Sequence, residues 1–555
     1  MTARTFHISR GHVHRAGAAL LVTVLVGLRL SAATPRFYPD DPISREPDPG
    51  DASRVQPFPV HMPWDILSSL FGHEGDPDRG PARNTNTIDE VPDSSWFTNR
   101  IGSRPMTEAD VGRGPDTTNG PAGRWTVVAG KSGGVRPGFT IVDAAGIRWF
   151  VKFDAPDFPE QATGAEVVAT KLFWTLGYHV AETHVATLRR ADLAVSPGAT
   201  VTIGGRKRRF TAADVERALA LVHRNADGTY RAIASKAIEG RPVGEFLYYG
   251  TRADDPNDVV PHEDRRELRG MRVFAAWIDR KDAKPGNTLD TLVTVDGHTV
   301  VRHYLLDFGS SLGAAEVRPS EPWMSHAYLY EGRPLLGKLV GAGLPVEGWR
   351  TILYPRLRGV GHFEADRFDP DTWKTLWPNA AYLRAGPDDT FWAARKLMAV
   401  TDGMIAAAVE AGHYSDPAAR AYLTRTLIRR RDVIGRTYLA RITPVVDPTL
   451  NDAGLLTFHD AAVERGGAAA PDAYHARWWR FDNTTGVSTP LGDSSDARVT
   501  ALQAPSALPR DHDALVRVDV SARSSAFPAW AAPVRLYFRR GATAWSLVGV
   551  ERLKD

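Results

Sequence analysis

Arg280-Lys281-Asp282-Ala283-Lys284-Pro285-Gly286-Asn287 is the stretch of this sequence on which its fold turns. Before it, Glu263 to Asp279 sets Leu268, Met271, Ala275 and Ile278 on one face at helical spacing. After it, Leu292 to Val295 and His298 to Leu306 read as two strands around Asp296-Gly297, a strong hairpin-turn signal. Twenty residues beyond Asn287, the second strand runs into Asp307-Phe308-Gly309. Two short polar segments thus stand at the ends of regular elements, where a rigid frame can aim them.

Upstream, Trp125 to Ala129, Phe139 to Asp143 and Ile147 to Phe153 read as three strands, the last two joined by Ala144-Ala145-Gly146. A helix is expected from about Glu160 to Leu176, stopped by Gly177, and a strand from Tyr178 to Leu188. Thr211 caps a further helix through Leu221, with Asp214 three residues in, and Tyr230 to Ile238 is another strand. The third strand carries Lys152 and the following helix carries Glu166. The first two strands are joined by Gly130-Lys131-Ser132-Gly133-Gly134-Val135-Arg136-Pro137-Gly138, whose glycines let backbone N–H groups approach an anion. Residues 124–225 form a small mixed lobe on this reading, and 226–442 a helical lobe with helices at Thr390 to Ala411 and Pro417 to Leu439.

Taken in order, these residues resemble the protein-kinase superfamily, whose catalytic loop reads HRDLKPEN and whose metal loop reads DFG. The spacing from Asp282 to Asn287 matches the catalytic loop, and Lys284 falls on its lysine. The resemblance spans about Arg124 to Ile442 and implies an α+β, two-lobed protein-kinase-like fold that uses ATP and Mg²⁺. It implies Asp282 as the carboxylate that orients an attacking hydroxyl, with Lys284 as a compensating charge. Asn287 and Asp307 would be oxygen ligands to Mg²⁺. Lys152 would pair the nucleotide phosphates, Glu166 would hold Lys152, and Gly133 and Gly134 would belong to the loop covering the phosphates.

The chain departs from the family pattern in three places. The glycine loop does not read GxGxxG, Lys281 stands where most eukaryotic-type kinases have Arg, and no Ala-Pro-Glu follows Asp307-Phe308-Gly309. It is thereby similar to atypical branches: lipid kinases, the toxin kinases of bacterial persistence, and secretory-pathway kinases. The reading is ATP-dependent phosphate transfer to a hydroxyl of a protein, lipid or glycan acceptor. Alternatives are a silent pseudokinase serving as an envelope interaction module, and nucleotidyl transfer on the same fold.

Rival chemistries find less support. The absence of cysteine excludes disulfides, thiolate nucleophiles and Cys-ligated zinc. Gly130-Lys131-Ser132 lacks the first glycine of a Walker A loop, Trp125 standing there. Two GxSxG strings, centred on Ser132 and Ser311, lack the strand-before, helix-after context of a hydrolase elbow. No HExxH occurs, and a net charge of +3 without a long basic stripe gives no reason to expect a nucleic-acid partner. The one dense basic run, Arg206 to Arg209, reads as a solvated hairpin tip beside Gly204-Gly205.

The flanks speak to place and partners. Arg4, Arg10 and Arg15 precede an apolar run from Ala16 to Leu28, and Ser31-Ala32-Ala33 supplies small residues for cleavage. Residues 1–33 therefore read as a secretory signal peptide, with an uncleaved anchor and membrane or envelope association as the alternative. Residues 34–123, rich in Pro, Gly and Asp, form an extended arm expected to wrap the next domain, with an amphipathic patch at Trp64 to Phe71. Pro444 and Pro448 mark a boundary, and 449–555 reads as a small all-β module with strands at Ala476 to Phe481, Leu515 to Val520, Val534 to Arg540 and Ser546 to Val550.

Overall fold

The structure, a computed structural model, describes residues 34–60, 65, 80–329 and 348–552. The expected signal peptide, and the amphipathic patch at 64–71 apart from Asp65, lie outside the described residues. No helix among the described residues is long and apolar enough to cross a membrane. The architecture is α+β.

After a short helix in the arm, α1 (Glu108–Arg113), the chain enters a seven-stranded sheet. It begins as an antiparallel meander of β1 (Trp125–Gly130), β2 (Gly138–Val142) and β3 (Arg148–Phe153). The β2–β3 turn forms because Asp143 Oδ1 accepts the N–H groups of Ala145 and Ile147 at 3.0 and 2.8 Å. Helix α2 (Gln161–Leu176) follows, its first N–H groups satisfied by Asp154, whose Oδ1 accepts from Ala162 and Thr163. Next come β4 (Thr183–Leu188), β5 (Leu193–Ile203), β6 (Arg206–Arg209), α3 (Ala212–Leu219) and β7 (Tyr230–Lys236), giving the order β4-β7-β3-β2-β1-β5-β6. Trp125, Val127, Phe139, Ile141, Trp149 and Val151 build the core of this lobe.

Three local expectations change here. The expected strand Tyr178 to Leu188 becomes β4 only from Thr183; Tyr178 and Val180 instead make single bridges to Phe97 and Leu305. The long strand β5, not anticipated, lies parallel to β1. The basic run is an edge strand, all four residues exposed, while Gly204-Gly205 forms the tip. Four cations on an edge discourage pairing with another chain.

Past β8 (Arg241–Gly244), α4 (Arg266–Ile278) ends where Asp279 takes a left-handed conformation, φ 57°. The hairpin β9 (Thr288–Val295) and β10 (His298–Leu305) closes through Asp296 and Gly297, both at positive φ as a primed turn requires. The described part of 306–379 is mostly irregular, where helix was expected. Short α5 (Ala380–Leu383) is followed by α6 (Pro387–Met398) and α7 (Asp402–Ala411), which the sequence presented as one helix. The break falls at Thr401, whose side chain accepts the Met404 N–H at 3.2 Å and starts a new helix. Helix α8 (Pro417–Tyr438) completes the lobe.

The tail contains β11 (Val445–Leu450), β12 (Leu455–Asp460), short α9 (Ala461–Glu464), β13 (Ala473–Phe481), β14 (Ser488–Asp493), β15 (Ala501–Gln503), β16 (Leu515–Arg523), β17 (Val534–Arg540) and β18 (Trp545–Arg552). They form two sheets, β11-β12-β15 and β14-β13-β16-β17-β18. Their packing does not stop at the chain boundary. One buried apolar cluster runs from Trp96 and Phe97 of the arm, through α2, α4, α6 and α8, to Trp478, Val518 and Leu536 of the tail. Trp530, fully buried, donates Nε1–H to Ala440 O at 3.0 Å, and Arg552 donates to Thr443 O and Val445 O.

Candidate active site

The site forms where the sheet lobe meets the helical lobe. Lys152 stands on β3 between buried Val151 and Phe153, and so points from the opposite face of the strand, toward α2. Its Nζ lies 3.3 Å from Glu166 Oε1 on α2 and 2.9 Å from Asp307 Oδ1 in the opposite lobe. Glu166 is only 3% exposed because α2 is buried along 15 of its 16 residues, enclosed by the sheet, α1 and α7. A helix buried on every side can carry a carboxylate only if that carboxylate is paired.

A second cation completes the pairing. Arg136, in the loop joining β1 and β2, is 2% exposed, and its Nη2 lies 2.9 Å from Glu166 Oε2. The two Glu166 oxygens are thus divided between Lys152 and Arg136. A Cβ on Gly309 would stand 2.5 Å from Arg136 Nη1 and 3.1 Å from Glu166 Oε2, so the guanidinium needs glycine at that position. Burial alone would raise the Asp307 carboxyl, but Lys152, then Arg136, outweighs it and holds the group down at about 2. Burial pulls the Lys152 ammonium down, and Glu166 with Asp307 reverses this and raises it. Asp307 sits at φ 54°, an uncommon conformation for a non-glycine residue, at the end of β10. Glu316, at φ 62° on the chain leaving that turn, is raised by burial and next by the Asp307 charge.

Asp282, Lys284 and Asn287 gather in the loop after α4. Lys284 Nζ donates to Asp282 Oδ2 at 2.9 Å, and Asn287 Nδ2 donates to Asp282 O and Oδ2 at 2.8 and 3.1 Å. Asp282 Oδ1 is buried with no hydrogen-bond partner among the described residues. The two halves of the site are tied through the backbone, since Leu306 N–H donates to Asn287 O at 2.9 Å. Arg280 reinforces the tie, its Nη2 donating to Leu306 O at 3.0 Å while the guanidinium lies 4.6 Å from the Phe308 ring centroid. Phe308 itself packs on Phe173 of α2, so the turn is anchored in the core.

Gly133 and Gly134 lie apart from these contacts. Gly133 has open space where a Cβ would be, and Gly134, at φ 76°, lies against the Lys131 side chain. Lys131 Nζ closes the loop on itself by donating to Arg136 O at 2.9 Å. Lys281 is buried, its Nζ 3.1 Å from Asp279 Oδ2 and donating to Ser310 O at 3.4 Å.

The residues present suit a hard divalent cation shared with phosphates. Asp307 offers a carboxylate held ionised, and the Asn287 amide spends its N–H groups on Asp282, leaving Oδ1 as a donor. No group of three or more His, Asp or Glu side chains among the described residues could hold a metal alone. A small carboxylate count completed by phosphates and water is the usual magnesium arrangement. Sequence reading missed Arg136, Arg280 and Glu316. Arg136 was visible only as a charged residue within a glycine-rich loop, and nothing local says that it turns inward.

No family model and no curated protein matches this chain. Among solved structures, the chain aligns with a crystal structure of the Golgi casein kinase at 12% identity, covering 72% of this chain and 95% of that one with a TM-score of 0.30. It aligns likewise with the Golgi casein kinase with Mn/ADP bound, at 12% identity over 71% and 94% of the two chains, TM-score 0.30.

Proposed function

We propose that this chain is an exported, atypical kinase-like phosphotransferase that moves a phosphate from ATP to a hydroxyl group. The observation that carries the reading is Lys152 Nζ in contact with Glu166 of one lobe and Asp307 of the other. A half-buried cation with two carboxylates across a cleft serves phosphoryl transfer, which needs positioning and charge neutralisation more than covalent chemistry.

The remaining roles follow from position. Asn287 and Asp307 would hold Mg²⁺, which supplies charge neutralisation to the phosphates. The acceptor hydroxyl would donate to Asp282 Oδ1, the oxygen with no partner among the described residues. As the hydroxyl oxygen bonds to the γ-phosphorus, the bond to the β-phosphate oxygen breaks, ADP departs and the hydroxyl proton passes to Asp282. Lys284, 2.9 Å from Asp282 Oδ2, keeps that carboxylate oriented and lies beside the group in transfer. A protein, lipid or glycan could present the hydroxyl. Export rests on the basic, apolar and small-residue order of residues 1–33.

Incubation of the purified chain with ATP labelled separately at the α- and γ-phosphates, with Mg²⁺, tests the reading. Transfer of the γ-label to an acceptor, or to the protein itself, supports it. Transfer of the α-label replaces it with nucleotidyl transfer, and binding of Mg·ATP without transfer of either label replaces it with a silent binding module.

A further inference from the structure

Away from the cleft, the arm, helix α6 and the tail enclose a crevice of about 920 Å³. Lys396 lines it from α6 and is 5% exposed. Its Nζ donates to Asn99 Oδ1 and Ser103 Oγ, both at 2.8 Å and both uncharged. An ammonium has three N–H donors. The third meets no acceptor among the described residues, and no carboxylate there lies within ion-pair distance of Nζ. Beside it, Arg395 pairs with Glu90, yet its Nε–H is buried without an acceptor among the described residues.

A buried charge is costly unless it is paired, and a protein seldom keeps one with only neutral partners. Burial, and next the Arg395 charge, pushes the Lys396 ammonium down to about 7. Most acids on the lining are already engaged, while Asp447, exposed there, acts on Arg395 and lies outside ion-pair distance of Lys396 Nζ. Asp93 Oδ1 accepts the backbone and side-chain N–H groups of Asn99 at 2.7 and 3.0 Å, and Glu464 accepts from His459. Two exposed arginines, Arg104 and Arg465, stand on the same lining and add positive potential at the mouth. The crevice therefore sets the Lys396 ammonium, with the Arg395 guanidinium beside it, on a space large enough for a small molecule.

We propose that this crevice is a binding site for a small oxyanion-bearing solute, a phosphate ester or a carboxylate, held by Lys396 Nζ and Arg395 Nε and drawn in by Arg104 and Arg465. The inference does not depend on the chemistry of the cleft. It places a second ligand site at the junction of arm, helical lobe and tail.

The test uses the full chain in a Lys152→Met background, so that phosphate cannot use the cleft lysine. Inorganic phosphate and acetate are each titrated against sodium chloride of equal ionic strength, and binding is read by calorimetry and by the thermal midpoint. Saturable binding of either anion, lost when Lys396→Met is added, is the expected result. Phosphate alone would point to a phosphate ester and acetate alone to a carboxylate. The exposed pair Arg104→Ser/Arg465→Ser should fold normally and bind roughly fivefold more weakly. Absence of saturable binding, or binding that survives Lys396→Met, overturns the proposal. If Lys396→Met fails to fold, unchanged affinity in the rim variant overturns it instead.

Discussion

Replacing Arg136 with Met tests whether the loop between β1 and β2 is truly fastened to α2. Arg136 and Glu166 meet at 2.9 Å with side-chain exposures of 1% and 4%, so solvent screens the pair very little. Methionine preserves much of the aliphatic length, which keeps the packing loss small. Removing one member of a buried pair costs about 3–5 kcal/mol because the other charge is left uncompensated. Glu166 retains Lys152 at 3.3 Å, which places the expected loss at the lower end, about 3 kcal/mol. The assay is urea unfolding followed by tryptophan fluorescence, Trp125 and Trp149 reporting on the sheet lobe. A double-mutant cycle with Glu166→Gln isolates the pair, with an expected coupling of about 2 kcal/mol. A loss below about 0.5 kcal/mol, or additive single effects, would refute the argument, since that is the scale of an ordinary surface substitution.

Four other outcomes are expected. Asp282→Asn should lower transfer by roughly a hundredfold to ten-thousandfold while leaving Mg·ATP binding nearly unchanged in calorimetry, whereas Asp307→Asn should weaken the binding itself. Gly309→Ala should dislodge the Arg136 guanidinium and reduce both stability and Mg·ATP affinity, because its Cβ would lie 2.5 Å from Nη1. Lys396 titrates near 7 when folded against 10.5 when free, so over that window the unfolded chain binds more protons and stability rises with pH. Urea midpoints measured at about pH 7 and about pH 9 should show this rise in the parent chain, and Lys396→Met should flatten it. A chain ending near Pro448 should be poorly soluble and lack a cooperative transition in calorimetry, because it bares the surface that Trp530 and Arg552 cover.

By itself, the sequence determined the elements and the order of the chemistry along the chain. Strand patterning placed Lys152 on β3, and turn residues such as Asp296-Gly297 set the hairpin leading to Asp307. These signals are local, decided within a few residues, and so they survive without knowledge of distant contacts. Where a helix divides was less legible, because Thr401 competes with a helical pattern that continues on both sides. Tertiary structure decided what the charges do. Arg136 and Lys131 are both basic residues in one glycine-rich loop, yet one is buried against Glu166 and the other closes the loop on itself. Lys396 reads as an ordinary helix residue until the arm and the tail close over it and leave it without a carboxylate partner among the described residues. The tail likewise reads as a module of its own, and only the packing of Trp530 on Ala440 shows that its core continues that of the helices. The reason is the same in each case: the energy of a charge or an apolar face is set by the solvent it loses, and which residues lose solvent together is fixed by contacts between segments far apart in the chain.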